Sequence, residues 1–153
     1  MNKNANVPTP AAQSGMSLIE LLVVILIVGI LAGIAYPSYR KQVVRSTRTD
    51  AKVSLQQSAQ ALENCFTRFH DYDHVDCDAM TALTSPPGLP SNDGHYTITA
   101  DNEDDLTFRL IATPQGGQTA DTECANFTLT QANVPGVSGT KGATMAGIRE
   151  CWR

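Results

Sequence analysis

The chain contains no Gly-rich phosphate loop, no G-x-S-x-G and no H-E-x-x-H. The commonest sequence signs of nucleotide, serine-hydrolase and zinc-peptidase chemistry are therefore missing. Basic residues are few: 11 Lys and Arg stand against 15 Asp and Glu, a net charge of −4. That balance offers no broad basic face for a general nucleic-acid binder, and no specific nucleic-acid partner is expected. No internal repeat is visible. The acids and histidines form no recognisable catalytic constellation, so neither an enzyme nor a cofactor is expected. Apolar residues are concentrated in one place, and the remainder is rich in Thr, Ser, Asp, Gly and Pro. The core of any globular part must be small.

What is present begins with one long apolar run. From Leu18 to Ala35 nearly every residue is apolar, apart from Glu20. About 20 such residues span a bilayer as a helix. A buried core helix is the competing reading, but so small a domain cannot surround this segment on all sides. The preceding "MNKNANVPTPAAQSG" is short and polar, unlike a secretory leader, which puts its apolar core before the cleavage site. Gly29 and Gly33 weaken a helix and Pro37 removes a backbone donor, so the three mark an expected helix break. Beyond Pro37, Tyr39, Val43, Ala51, Leu55, Leu62, Phe66 and Phe69 recur at helical spacing. Arg40, Lys41, Arg45, Arg48, Asp50 and Lys52 lie between them and are expected on wet faces. A helix from Ser17 to about Phe69 would be roughly 80 Å long, too long for a compact domain of this size, so half of it is expected to project.

Residues 85–94, "SPPGLPSNDG", read as a loop. Tyr96, Ile98 and Ala100 then alternate with threonines. Leu106, Phe108 and Leu110 alternate with Thr107 and Arg109. These predict a hairpin with one buried face and an acidic turn at 101–105. "CANFTLTQ" predicts a third strand with Ala125, Phe127 and Leu129 inward. A Gly-rich tail must then loop back to place Cys151. The expected class is α+β: a long N-terminal helix packs its second half on a small antiparallel sheet.

Four cysteines, Cys65, Cys77, Cys124 and Cys151, all follow the apolar run. An even number there favours two disulfides on an oxidising side. The alternative is zinc held by Cys65, His70, His74 and Cys77 at irregular spacing. "DYDHVDCD" fails as a calcium loop, because Val75 takes a ligand position and the needed Gly is missing. The sequon at Asn126-Phe127-Thr128 falls in a predicted strand and is set aside.

"GMSLIELLVVILIVGILAGIAYPSYRKQ" resembles the class III signal of type IV prepilins. In that family a polar leader ends in Gly, the fifth mature residue is Glu, and a proline lies in an "AYPSY"-like sequence. Gly15 matches the last leader residue, Met16 the new N-terminus (usually Phe), Glu20 the acid and Pro37 the proline. "RSTRTDAKVSLQQSAQALENCF", "ATPQGG" and the closing "CW" are similar to PilE-type pilins, minor or major. The resemblance implies a pilin fold in three parts: a cleaved leader at 1–15, a transmembrane and filament-core helix at 16–37, and a globular domain at 38–153. It implies cleavage by a prepilin peptidase, N-methylation of Met16, and disulfides Cys65–Cys77 and Cys124–Cys151. Chain entropy gives these bonds about 3 and 3.6 kcal/mol.

The implied partners are other pilin subunits in a helical filament, the inner-membrane assembly machinery, and the inner membrane before assembly. The implied location is inner membrane first, with the globular part periplasmic, then the extracellular pilus. Twitching motility, adhesion and pilus assembly are the implied functions. A type II secretion pseudopilin shares the signal and is the alternative, although many pseudopilins lack the paired cysteines. The cations after the apolar run oppose this orientation by the positive-inside rule; the cysteine set and the resemblance outweigh them. Glu20 lies about 6 Å down the helix from the Met16 amine. A carboxylate in hydrocarbon costs several kcal/mol unless paired, and the expected cation is that amine, in its own or a neighbouring subunit.

Overall fold

The computed structural model describes residues 16–104 and 106–153. The expected leader, Gly15 included, lies outside them. The chain divides into two compact units, one ending at Tyr39 and the other spanning Arg40–Arg153.

The described part of the first unit is helical. Helix α1, Leu18–Phe69, begins there and continues into the second unit. It runs without interruption across Gly29, Gly33 and Pro37, which corrects the expected break. Pro37 forfeits a single bond, the one that would go to the Gly33 carbonyl, and each Gly costs about 1 kcal/mol relative to Ala. In a helix of 52 residues these are local defects. The helix ends where His70 turns left-handed, with φ 58°, and donates its N–H to the Phe66 carbonyl.

In the second unit the sequence returns through a short helix and an antiparallel meander. Helix α2 is Asp78–Thr84. The strands are β1 (Leu89–Pro90), β2 (Tyr96–Asp104), β3 (Thr107–Pro114), β4 (Phe127–Thr130) and β5 (Pro135–Val137). Their order in the sheet is their order in the chain. Ile98 faces Ala112, and Ala100 faces Leu110. Helix α3, Met145–Trp152, closes the chain. The architecture is α+β.

The period-two pattern puts Tyr96, Ile98, Phe108, Leu110, Ala112, Phe127 and Leu129 on one face. They form one core with Ala51, Leu55 and Leu62 of α1 and with Met80 and Leu83 of α2. Fully burying one such aliphatic side chain stabilises the fold by about 1.5–3 kcal/mol.

Four sequence expectations change. Leu106 is exposed, because it sits in the β2–β3 turn rather than in a strand. Ala125 precedes β4 and adopts φ 50°, its N–H turned back to the Asp121 carbonyl. Tyr39 and Val43 are exposed, so the buried stripe starts later than their spacing implies. Arg48 and Asp50, expected in water, are buried. The tail also holds more structure than a loop. Gly139 lies against the Glu123 backbone, Gly142 against the Val137 carbonyl and Gly147 against the Lys141 carbonyl. A Cβ at any of the three would overlap those atoms.

Candidate functional site

The first unit offers an apolar rod with a polar start. Met16 precedes the helix, and the Leu21 N–H donates the first helical bond to Ser17. Glu20 stands in the first turn, where the partial positive charge of the helix end favours a carboxylate. Every large apolar side chain from Leu18 to Ile34 is exposed, from 42% at Val24 to 76% at Leu18. The helix is long and apolar enough to cross a membrane. Gly29 and Gly33 have nothing within 4 Å of a notional Cβ. Exposed apolar surface on this scale is an association surface, for lipid or for other helices.

The second unit is fastened by charges that the sequence pattern did not reveal. Arg48 donates to both carboxylate oxygens of Asp121, at 2.7 and 2.8 Å, and to Glu123 at 3.2 Å. Asp121 Oδ1 also accepts the Cys124 N–H. Lys141 bridges Glu123 and Glu150. Burial works against the Arg48 charge, but the bonds and charge of Asp121 outweigh it and raise the Arg48 pKa. Bonds from Arg48 and Lys141 hold the Glu123 carboxyl below the usual carboxylate range.

Gln118 completes this seam. Its amide nitrogen donates to the Val44 carbonyl and the Tyr96 hydroxyl, and its oxygen accepts from Thr47. Burial raises the Tyr96 pKa to about 12, with the Gln118 bond opposing the rise. Asp50 organises the turn before β2 by accepting from the Ser91 hydroxyl and from the Asp93 and His95 N–H groups. A signal for Arg48 existed. It falls in helical phase with Val44, Ala51 and Leu55, and a charge on an apolar stripe must find a partner.

The cysteines form two disulfides, Cys65–Cys77 and Cys124–Cys151, with Cα separations of 5.7 and 5.9 Å. Their sulfurs are therefore not thiolate ligands for zinc. Cys124 is thus anchored twice, to α3 through Cys151 and to α1 through Asp121 and Arg48.

A family model described as "Type IV minor pilin ComP, DNA uptake sequence receptor" matches residues 37–128. A second, the prokaryotic N-terminal methylation motif, matches residues 10–36. Among curated relatives, the type IV major fimbrial protein FimA of Dichelobacter nodosus is 42% identical over 53 residues, 35% of this chain and 34% of that protein. The fimbrial protein EcpC of Eikenella corrodens is 54% identical over 39 residues, 26% of each chain. The matched stretch thus spans about a third or less of these relatives. Among solved structures, a type IV pilin from Shewanella oneidensis is 27% identical, with TM-score 0.45, over 60% of this chain and 89% of that one. The non-core minor pilin PilV of Neisseria meningitidis is 18% identical, with TM-score 0.48, over 65% and 90%. The matching family model and the relatives named here are type IV pilins, and the pseudopilin alternative is not favoured. With residues 37–128 on the ComP model and the methylation motif directly ahead of them, the chain belongs to the type IV pilin family, in the minor-pilin branch of ComP.

Proposed function

We propose that this chain is a minor structural subunit of a type IV pilus. The observation that carries the reading is the exposed apolar run of α1 with one acid at its start, inside the segment that matches the methylation motif. A prepilin peptidase cuts between Gly15 and Met16 and methylates the new amine. The run from Met16 to Pro37 holds the subunit in the inner membrane, with the globular unit on the periplasmic side. It then moves into the filament core with the help of the assembly machinery. There Glu20 pairs with the Met16 amine of a neighbour, because a carboxylate among apolar helices needs a cation. Pilus biogenesis, twitching motility and adhesion follow from incorporation.

Mass spectrometry of the protein from peptidase-competent cells tests the first step. The expected N-terminus is methylated Met16. A chain that still begins at Met1 overturns it, and Gly15→Ala is better tolerated than bulkier changes.

DNA capture is a second reading, favoured by the description of the matching family as a DNA uptake sequence receptor. The net charge of −4 is an average over the chain: Arg40, Lys41, Arg45, Arg149 and Arg153 are exposed, and Arg45, Lys52 and Arg153 line one pocket. Contacts to phosphates weaken steeply with salt. Retention of labelled duplex DNA tests this reading: retention that weakens steeply with added salt and is lost in Arg45→Glu with Arg153→Glu is expected, and retention unchanged in that variant overturns it.

A further inference from the structure

Between Glu20 and Asp50 the chain holds no acid, and its charged side chains are Arg40, Lys41, Arg45 and Arg48. Arg48 is buried and held by Asp121 and Glu123. The other three are exposed. Among the described residues no acidic side chain forms an ion pair with them, and Arg45 acts on Glu150 only at longer range. In the orientation proposed above they stand on the side of the span where the positive-inside rule disfavours them. They need counter-charges that the chain itself does not supply.

Their place along α1 says where those counter-charges lie. Tyr36 and Tyr39 are 65% and 69% exposed and stand three residues apart, on one helix face. Amphipathic rings of this kind settle at the level of lipid headgroups. Arg40 and Lys41 follow Tyr39 directly. Arg45 is five residues beyond Arg40, about 7.5 Å of helix rise. The headgroup layer on each side of a bilayer is about 5–7 Å deep. Helical side chains lean back toward the N-terminus, so the long Arg45 side chain reaches that layer. Lys52 is twelve residues beyond Arg40, about 18 Å of rise and more than two screening lengths of about 8 Å. The pocket that it lines with Arg153 is therefore out of reach.

We infer that Arg40, Lys41 and Arg45 form a contact site for the phosphates of anionic phospholipids. Lys41 and Arg45 are four residues apart and share a face, so one headgroup phosphate can bridge them. A guanidinium meets a phosphate with two parallel N–H bonds. Phosphatidylglycerol keeps its net negative charge, whereas the choline of phosphatidylcholine cancels its own phosphate. The contact holds the subunit at the bilayer and is given up when the apolar run enters a filament. Duplex DNA carries phosphates as well, but the direct continuity of these cations with an apolar span favours lipid. The inference rests on the membrane-anchor part of the reading above.

The test uses the full-length chain from peptidase-competent cells, in lipid nanodiscs of phosphatidylglycerol and phosphatidylcholine in equal amounts. Native mass spectrometry shows which lipid stays on the chain once the disc is stripped away. The first lipid retained is expected to be phosphatidylglycerol about fivefold more often than phosphatidylcholine. The ratio should fall as salt rises. Arg40→Gln, Lys41→Gln and Arg45→Gln together bring it to parity. Lys52→Gln with Arg153→Gln leaves it unchanged.

Parity in the unaltered chain, or a preference that survives the triple substitution, overturns the site. So does a preference lost on Lys52→Gln with Arg153→Gln, which would put the lipid in the pocket. A preference abolished by inorganic phosphate at constant ionic strength would make the ligand a free phosphate and also overturns it. If the triple variant loses retention of duplex DNA while its lipid ratio is unchanged, the cations belong to DNA and the inference fails. A chain that alkaline carbonate washes from vesicles overturns the membrane anchor itself, whereas an inserted chain without the preference overturns only the lipid contact.

Discussion

Along α1, the stretch from Leu18 to Ile34 is apolar and entirely exposed, whereas the stretch from Val44 to Phe66 buries a guanidinium and a carboxylate. The composition of each stretch alone predicts the reverse. The difference lies in where the partners are. Arg48 and Asp50 find theirs within the chain, in Asp121 and Glu123 and in the turn at 91–95. The apolar stretch has none in its own chain, so its burial must come from outside. An apolar surface tolerates many neighbours because burial has no direction. A buried ion pair accepts only the geometry that satisfies it. One half of the helix is thus generic in what it meets, and the other is specific.

The largest expected effect comes from removing the single specific group of the generic half. Glu20→Leu makes the segment more apolar, so insertion is at least as good. The globular unit should fold unchanged. The amount of subunit in sheared pili, relative to the membrane, should fall at least about tenfold, the equivalent of about 1.4 kcal/mol. Normal incorporation would make Glu20 a boundary acid only. Glu20→Asp should fall between, with the carboxylate kept and its reach shortened.

The next test breaks the specific half. Arg48→Met leaves Asp121 buried without its cation and should destabilise the globular unit by about 3–5 kcal/mol. Thermal unfolding of the full chain in detergent reads this. Pairing Arg48→Met with Asp121→Leu should recover much of the loss, because no lone charge remains. A double variant as unstable as the single one would show that packing, not charge, holds the seam.

The smallest effect sharpens the comparison by pH. Because the folded-state pKa of Glu123 is depressed, its pairing contributes stability above the ordinary carboxylate value of 4.5. That contribution is lost as pH falls below 4.5 through the folded value. Amide protection at residues 123–124 and 139–142, taken relative to the intrinsic exchange rate at each pH, should therefore fall below about pH 4.5, and less so in Glu123→Gln. The exposed apolar stretch between Leu21 and Ile34 holds no titratable side chain and should show no matching change.

Much of the fold was legible from periodicity. The 3.6-residue stripe placed Ala51, Leu55 and Leu62, and the period of two placed Tyr96, Ile98, Phe108, Leu110, Phe127 and Leu129. What stayed hidden depended on distance in sequence. The partner of Arg48 is 73 residues away, and that of Asp50 is 41. No local pattern announces either. Helix α3 and the two-residue strand β1 were hidden for another reason, since Gly and Pro at those places read as loop. The Glu20 site was legible through resemblance and spacing, but its partner is not in this chain.

The three glycines at 139, 142 and 147 change what "Gly-rich" means here. Each admits a neighbouring backbone where a side chain would overlap it. The segment that returns to Cys151 is thereby a stack of main chain on main chain rather than a slack strap. Its outward side chains, Thr144, Met145 and Ala146 among them, stand on a frame already fixed before any encounter. A partner that meets this surface has little left to order, so tight recognition here is a matter of which outward side chains are present.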